Sequence, residues 1–328
     1  MNGITEISTE QLEEAATIAG QMRSQIGNAI VGQKEVVNQI LAALISAGHV
    51  LIEGVPGLGK TLMVRALAQT FGGKFARIQF TPDLMPADVT GHTLYDQNSG
   101  QFTTRRGPVF TNLLLADEIN RAPAKTQAAL LEVMQEGQVT IEGVSHRLEP
   151  PFMVLATQNP IEQEGTYALP EAQLDRFLIK VLIDYPQQDE EVSMVAQVTN
   201  DHVGETLNVS HVAAIVQPAT VVALQRAAAA IRVDDAVLDY AVRIVRATRQ
   251  WTGVAAGAGP RGGIALVRTA RSMALIDGRD FVTPDDIKSV ARPSLRHRIV
   301  LAPELEIEGH STDNVLLRLL EEVEAPRI

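Results

Sequence analysis

Short apolar runs alternate with stretches of helical periodicity along the first 187 residues. Five of these runs have the length of buried strands: 50–52, 75–80, 113–116, 152–156 and 178–183. Apolar residues spaced three and four apart predict helices between most of them, and two further helices before the first run, over 10–26 and 34–47. This alternation is typical of a largely parallel sheet that is covered by helices on both faces.

Two insertions interrupt the alternation, and both predict exposed hairpins. The first covers about 81–110, with short apolar runs on either side of a polar turn at 96–100. The second covers 138–148, where apolar and polar residues alternate around Glu142 and Gly143. Such excursions usually carry contacts with other molecules, although surface decoration stays an alternative.

Every segment after Tyr185 and Pro186 has helical periodicity. The predicted helices cover 189–199, 219–231, 234–250, 261–277, 284–291 and 312–324. Thr283 and Pro284 form a typical helix start, with a capping hydroxyl and a proline in the first turn. We therefore predict an α/β domain over 1–187 and a small all-helical domain over 188–328.

Composition excludes several classes of protein. The chain has 328 residues, 45% of them apolar and 20% charged, which is ordinary for about two globular domains. The net charge of −11 disfavours unspecific binding to nucleic acid or to an anionic membrane surface. Without cysteine there is no disulfide and no thiolate zinc site. No apolar run approaches the roughly 18 residues that span a bilayer, so we expect a cytoplasmic protein without membrane contacts.

A phosphate-binding loop follows the first strand. Residues 54–61 read Gly-Val-Pro-Gly-Leu-Gly-Lys-Thr and fit the pattern G-x-x-x-x-G-K-S/T between a strand and a helix. We expect positive φ angles at the three glycines, which would turn backbone N–H groups towards phosphates. The alternative is a glycine-rich turn without a ligand. The predicted nucleotide-binding residues are Gly54, Val55, Pro56, Gly57, Leu58, Gly59, Lys60, Thr61 and Leu62.

Several polar side chains are candidates for the chemistry of ATP and Mg²⁺. Lys60 would reach the β- and γ-phosphates, and the Thr61 hydroxyl would bind Mg²⁺. Asp117 follows the third strand and is the expected partner of the hydrated metal ion, while Glu118 is placed to act as general base. The alternative for both acids is capping of the following helix. Asn159 follows the fourth strand, where an amide could hold water or the γ-phosphate, but this signal alone is weak.

With these residues, the chain resembles the AAA+ ATPases and, within them, the MoxR family. The resemblance covers nearly the whole chain from about residue 25, and its most specific part is the run over 156–177. Supporting stretches lie at 30–33, 79–84, 113–123, 134–137, 156–167 and 169–177.

The resemblance implies roles that spacing does not reveal. Asn159 would be the first sensor of the γ-phosphate, and Arg176 would be an arginine finger that acts on the nucleotide of a neighbouring subunit. Arg261 would be the second sensor, although Gly262 stands where alanine is common in the family, and with Gly263 it should loosen the helix start. Without the family, each arginine would be interpreted as a solvated charge. The backbone lining of the adenine pocket would come from Val31, Gly32 and Gln33.

The resemblance also implies a homo-oligomeric ring, which is a hexamer in the family. MoxR proteins resemble chaperones that insert metals or assemble complexes, often beside a partner with a von Willebrand factor A domain. A nucleic-acid motor of the same AAA+ branch, a magnesium-chelatase-like subunit and a nucleotide-switched scaffold without turnover are the alternatives. For the motor, only the arginines at 105–106 and 292–298 could contact phosphates, and we expect both groups to be solvated or intersubunit charges. Nucleic acid is therefore an unlikely partner.

Overall fold

The part of the chain that the computed structural model describes comprises residues 7–55, 57–97, 100–159, 166–199 and 209–326. Its strands are β1 (Val50–Gly54), β2 (Phe75–Gln79), β3 (Gly91–Asp96), β4 (Gln101–Arg106), β5 (Leu113–Asp117), β6 (Gln138–Ile141), β7 (Val144–Arg147), β8 (Met153–Gln158), β9 (Ile179–Ile183), β10 (Val254–Ala256) and β11 (Val300–Leu301).

The helices surround these strands and continue beyond them to the C-terminal part of the chain. They are α1 (Thr9–Gly27), α2 (Lys34–Ile45), α3 (Lys60–Thr70), α4 (Pro86–Thr90), α5 (Ala124–Glu136), α6 (Glu171–Leu174), α7 (Gln188–Thr199), α8 (Pro218–Ala230), α9 (Asp235–Thr248), α10 (Pro260–Ile276), α11 (Pro284–Leu295), α12 (Pro303–Ile307) and α13 (Thr312–Glu322).

Five strands form one parallel sheet in the order β2, β5, β8, β1, β9. They correspond to the five predicted apolar runs, which confirms the α/β fold class. β1 lies between β8 and β9, so Ile52 is beside Thr157 on one side and Val181 on the other. Because the strands run the same way, their carboxyl ends share one edge, where ligands bind in open α/β sheets.

Alternating side chains of the strands are buried on opposite faces of the sheet. Val50 and Ile52 belong to an apolar core that also contains residues of α1, α2 and α3 and continues into the C-terminal helices. Leu51 points to the other core, which contains α5. Truncating such a fully buried side chain typically costs about 2–5 kcal/mol. The sheet is therefore covered by an apolar core on each of its two faces.

Both predicted hairpins are present. β3 pairs with β4, and the rings of Tyr95 and Phe102 lie 5.1 Å apart across the pair. β6 pairs with β7 through a turn in which Glu142 and Gly143 have positive φ angles, as tight hairpin turns require. The short helix α4, which precedes the first hairpin, was not predicted.

The C-terminal part is mainly helical, as predicted, and its helices begin close to the expected positions. At α11, Thr283 and Asp286 form a capping box, and Pro284 is in the first turn. Two features differ from the sequence prediction. The short antiparallel pair of β10 and β11 and the helix α12 lie in segments that periodicity did not resolve. The boundary between residues 187 and 188 stays a prediction.

Arg298 links the helical part to the sheet domain. Its guanidinium donates hydrogen bonds to Asp175 Oδ1 at 2.7 Å and to the carbonyl oxygens of Phe177 and Leu178 at 2.7 and 3.1 Å. The side chain is only 4% exposed. A buried arginine is stable in this position because carboxylate and carbonyl oxygens replace the water that it loses.

The expectation that the arginines at 292–298 are solvated or intersubunit charges is therefore wrong for two of them. Arg298 is buried against the sheet domain, and Arg296 forms an ion pair of 2.8 Å with Asp313 while its side chain is 8% exposed. Their charges serve contacts within the chain. Among the described residues, no helix is both long enough and apolar enough to cross a bilayer.

Candidate nucleotide site

The loop after β1 has the backbone conformation of a phosphate cradle. Gly57 and Gly59 have φ angles of +86° and +75°, as the sequence predicted. Gly54 is the exception, since its φ is not positive. Glycine is required there for a different reason, because a Cβ atom would lie 2.5 Å from the carbonyl oxygen of Ile183 in the neighbouring β9. Pro56 lies outside the described residues.

Lys60 begins α3, followed in its first turn by Thr61 and Leu62. The ammonium group of Lys60 donates a hydrogen bond to the carbonyl oxygen of Gly54, so the side chain folds back over the loop. Burial lowers the pKa of Lys60, and the carboxylates of Asp117, Glu118 and Glu53 oppose that effect. A half-buried cation at a helix N-terminus is a strong attractor for an anion.

Most of the predicted residues line one cavity of about 290 Å³ at the carboxyl edge of the sheet. Its volume lies at the lower limit of small-molecule sites, so it matches a triphosphate group better than a whole nucleotide. Val55 and Leu58 belong to the loop but do not line the cavity. The predicted residues that line it are Gly54, Gly57, Gly59, Lys60, Thr61, Leu62, Asp117, Glu118 and Asn159.

Asp117 ends β5 and is fixed on both sides. The Thr157 hydroxyl donates to its Oδ1 at 2.6 Å, and the Arg77 guanidinium donates to its Oδ2 at 2.6 and 3.1 Å. The carboxylate of Asp117 is 17% exposed, so it remains open to the cavity. These contacts hold an anionic oxygen pair beside the phosphate loop.

Glu118 has a left-handed backbone conformation, with φ of 55°, which turns its side chain out of the strand direction. Its carboxylate accepts a hydrogen bond of 2.6 Å from Gln79 Nε2 and forms an ion pair of 3.2 Å with Arg121. Its backbone N–H donates to the Thr157 hydroxyl at 2.9 Å. A non-glycine residue in this conformation stores strain, which is common at functional sites.

Sequence reasoning missed three residues of this network: Arg77, Gln79 and Thr157. Gln79 and Thr157 stand at or near the carboxyl end of a parallel strand, and Gln79 lies directly beside Asp117 in the register. The rule that ligands bind at this edge could therefore have found these two, whereas Arg77 lies in the middle of β2. Thr157 is 1% exposed and connects both acids, since its hydroxyl accepts from Glu118 and donates to Asp117.

Asn159 and the segment of Val31, Gly32 and Gln33 lie in different parts of the site. Asn159 is 9% exposed and lines the cavity just beyond β8. Residues 31–33 form the turn between α1 and α2, where Gly32 and Gln33 have φ angles of +71° and +55°. This turn does not line the 290 Å³ cavity.

The two predicted arginines do not reach the cavity of their own chain. Arg176 lines a separate cavity of about 520 Å³ beside α5 and β6. Within the part of the chain that the structure describes, its guanidinium has no ion pair or hydrogen-bond partner. Arg261 lies at the start of α10, and its Nε is 3.9 Å from Oδ2 of Asp175, the residue that precedes Arg176. Arg261 therefore lies close to the segment that carries Arg176.

The glycines after Arg261 do not prevent a regular helix start. α10 begins at Pro260 and runs through both of them. A Cβ atom at Gly262 would lie 3.0 Å from a methyl group of Leu295, which belongs to α11. A side chain at position 262 would therefore press on Leu295, where the two helices pack closely.

Comparison with known proteins agrees with this geometry. Residues 49–179 match the ATPase family associated with various cellular activities (AAA), and residues 246–319 match the AAA lid domain. The chain is 45% identical over 317 residues to Chaperone MoxR1 of Mycobacterium tuberculosis, covering 93% of this chain and 81% of that protein. The chain belongs to the MoxR family of AAA+ ATPases.

Other relatives are similar over nearly the full length of the chain. Protein MoxR of Methylorubrum extorquens is 32% identical in an alignment that covers 94% of this chain and 95% of that protein. The YeaC protein of Bacillus subtilis is 45% identical over 314 residues, which cover 96% of this chain and 97% of that protein. The crystal structure of a candidate ATPase from Cytophaga hutchinsonii superposes with a TM-score of 0.89 at 41% identity. The superposition covers 97% of this chain and 98% of that protein. None of these relatives is named as a nucleic-acid motor or a chelatase subunit.

Proposed function

We propose that this MoxR-family protein hydrolyses ATP and uses the cycle to remodel or mature a protein client. The observation that carries the proposal is the convergence of Lys60, Asp117 and Glu118 on one cavity beside a phosphate loop. A cation for the phosphates, a metal-binding carboxylate and a candidate base are the groups that phosphoryl transfer to water requires. The named chaperone among the relatives supports the client role.

The oxygen donors at the cavity fit Mg²⁺, which prefers carboxylate and hydroxyl ligands and keeps part of its water shell. Asp117 and the Thr61 hydroxyl would hold the ion, and Thr157 keeps the Asp117 carboxylate oriented towards the cavity. When bound, Mg²⁺ supplies charge neutralisation at the phosphates. The Arg77 guanidinium on Asp117 Oδ2 would give up part of its contact to that ion.

Side chains and backbone groups of the chain bind the phosphates, accept the proton and orient the attacking water. Lys60 binds the β- and γ-phosphates together with the N–H groups of the loop. Glu118 accepts a proton from the attacking water, and Asn159 orients that water or the γ-phosphate through its amide. General-base catalysis of this kind contributes about 10²–10⁴-fold to a rate. The residues at 31–33, with Val55, Leu58 and Pro56 of the loop, complete the binding of the nucleotide.

A second subunit completes each site in this proposal. Arg176 lines a different cavity from Lys60, so its guanidinium serves the nucleotide of a neighbour as an arginine finger. Arg261, which approaches Asp175 next to Arg176 in the chain, is proposed to be the second sensor. Both features fit a closed homo-oligomeric ring with head-to-tail interfaces, and we propose a hexamer.

The proposed partners are proteins. A net charge of −11 and the burial of Arg296 and Arg298 leave little basic surface for nucleic acid. We propose a cytoplasmic location and a client, or a von Willebrand factor A domain partner, that contacts the exposed hairpins β3–β4 and β6–β7. Tyr95 and Phe102 on the first hairpin are 56% and 74% exposed, which favours apolar contacts with such a protein.

The test is a native pull-down with the Glu118→Gln variant in the presence of ATP and Mg²⁺. This variant should bind ATP as the wild type does and lose its hydrolysis. Recovery of a metal-binding protein or a von Willebrand A protein supports the client role. Nucleic acid that stays bound at high salt would favour a motor, and unchanged hydrolysis would remove Glu118 as the base. Glu149→Gln, an exposed acid outside the cavity, is the matched control.

A further inference from the structure

In the proposed function the turn of residues 31–33, between α1 and α2, contacts the base of the nucleotide. The phosphate loop leaves β1, which lies between β8 and β9. Asp117 and Asn159, which face the reacting end of the triphosphate, follow β5 and β8 on one side of the loop. β9 borders the loop on the other side. Gly54 touches Ile183 there, so the chain that leaves β9 adjoins the phosphate loop.

The chain that leaves β9 carries an acidic side chain to the turn between α1 and α2. A Cβ atom at Gly32 would lie 2.5 Å from Oε2 and 2.9 Å from Oε1 of Glu190, so the carboxylate is packed directly on the backbone of that turn. Glu190 is partly buried, whereas the next residue, Glu191, is exposed. The space above Gly32 thus holds a fixed carboxylate beside the expected base.

One oxygen of this carboxylate already has a partner. Glu190 Oε2 accepts a hydrogen bond of 3.2 Å from the N–H of Gln187 at the start of α7. That bond caps the helix and fixes the side chain, as in a capping box. A carboxylate has about four acceptor positions and no donor, so Oε1 still offers free acceptor positions.

We propose that Glu190 selects adenine over 6-oxopurines by accepting a hydrogen bond from the 6-amino group of the base. The proposal rests on the proposed function, because it requires a nucleotide on the phosphate loop. Adenine presents an N–H donor at carbon 6, whereas guanine and hypoxanthine present a carbonyl oxygen that a carboxylate repels. A site built to accept a hydrogen bond discriminates strongly against an analogue that cannot donate it.

The experiment compares the dissociation constants of ADP, GDP and IDP for the full-length protein by calorimetry. Diphosphates avoid turnover, and IDP differs from ADP at the 6-position and the adjoining ring nitrogen. We expect the wild type to bind ADP at least about tenfold more tightly than IDP, as one hydrogen bond to a charged group predicts. In Glu190→Gln the amide can still cap α7 but can also donate to the 6-oxo group. Its preference for ADP over IDP should fall to about threefold or less.

Two further variants separate the explanations. Glu191→Gln removes the neighbouring exposed charge and should keep the preference of the wild type. An unchanged ADP to IDP ratio in Glu190→Gln, with ADP binding that Lys60→Ala abolishes, would overturn the selection role and leave the proposed ATPase intact. ADP binding that is absent in the wild type, or insensitive to Lys60→Ala, would overturn both.

Discussion

Gln79 Nε2 donates a hydrogen bond of 2.6 Å to Oε2 of Glu118, across the carboxyl ends of two adjacent parallel strands. Gln79 lies beside Asp117 in the register, so its side chain reaches one residue further to Glu118. Arg121 approaches the same Oε2 at 3.2 Å. The orientation of the proposed base is thus set by β2, a strand that contributes nothing to the phosphate loop.

Replacing Gln79 by alanine should lower kcat for ATP hydrolysis by about tenfold, because small errors in the position of a reacting group are costly. KM should stay within about twofold, since Gln79 orients the base and binds no phosphate in the proposed mechanism. Steady-state kinetics check both values. Gln101→Ala, on an exposed strand of the first hairpin, is the control. A rise in kcat would mean that the bond restrains the base.

Mixing two inactive variants should restore activity if Arg176 serves a neighbouring subunit. Lys60→Ala loses phosphate binding and Arg176→Ala loses the finger, so each alone should be nearly inactive. In a randomly mixed ring about a quarter of the interfaces pair an intact loop with an intact arginine. ATPase activity of the mixture should approach that fraction of the wild-type rate. A mixture no more active than its components would contradict a shared site.

Removal of the Arg298 guanidinium should destabilise the protein strongly. Arg298→Met leaves Asp175 and two carbonyl groups without the donor that compensates them, and loss of one partner of a buried pair costs about 3–5 kcal/mol. Denaturant unfolding monitored by circular dichroism measures this loss. Arg318→Met on the exposed side of α13 should change the free energy of unfolding by less than about 0.5 kcal/mol. Equal stability of both variants would contradict the role of Arg298.

Stability should fall between about pH 6.5 and pH 4 because of buried histidines. His49 accepts a hydrogen bond from the Val154 N–H on Nδ1, so its Nε2 carries the proton and donates to the carbonyl oxygen of Met134. Burial lowers its pKa from 6.5 to about 4; the bond to Met134 opposes this effect and the charge of Arg268 adds to it. Burial also lowers the pKa of His297, beside Arg298, well below its usual value.

The sign follows from proton binding. As pH falls through 6.5, the buried histidines bind protons in the unfolded chain but not in the folded protein. Acid therefore favours unfolding. For His49 a pKa of 6.5 in the unfolded chain and about 4 in the folded protein corresponds to a loss of about 3 kcal/mol, complete near pH 4. Asp286, whose pKa lies below its usual 3.8, acts only at lower pH. Urea unfolding at several pH values checks this, and a flat profile from pH 7 to 4.5 would contradict it.

Strong local patterns made the sheet and the phosphate loop predictable. The apolar runs of β1, β5 and β8 are conspicuous because these strands are buried almost throughout and most of their residues are therefore apolar. Asp117 and Glu118 were found because they follow such a strand. The C-terminal helices were predicted from their periodicity and, at Thr283, from a cap.

Contacts between distant segments could not be predicted from these patterns. Gly54 was assigned a positive φ, yet glycine is needed there because β9 lies so close. Thr157 is marked in the sequence only by its place near the end of β8, and its hydroxyl bonds to both acids arise only when β5 and β8 pair. Arg298 resembles a surface charge until the fold brings it to Asp175. In each case the deciding partner is many residues away in sequence.

Arg298 also offers the proposed ring a means to coordinate ATP hydrolysis between neighbouring subunits. Arg298 bonds to Asp175 before Arg176 and to Phe177 and Leu178 after it, so the helical part of the chain holds the backbone that carries the proposed finger. That part cannot swing away from the sheet without breaking these bonds or pulling Arg176 with it. Movement in one subunit would then advance or withdraw the finger at the next site, and hydrolysis events would follow one another around the ring.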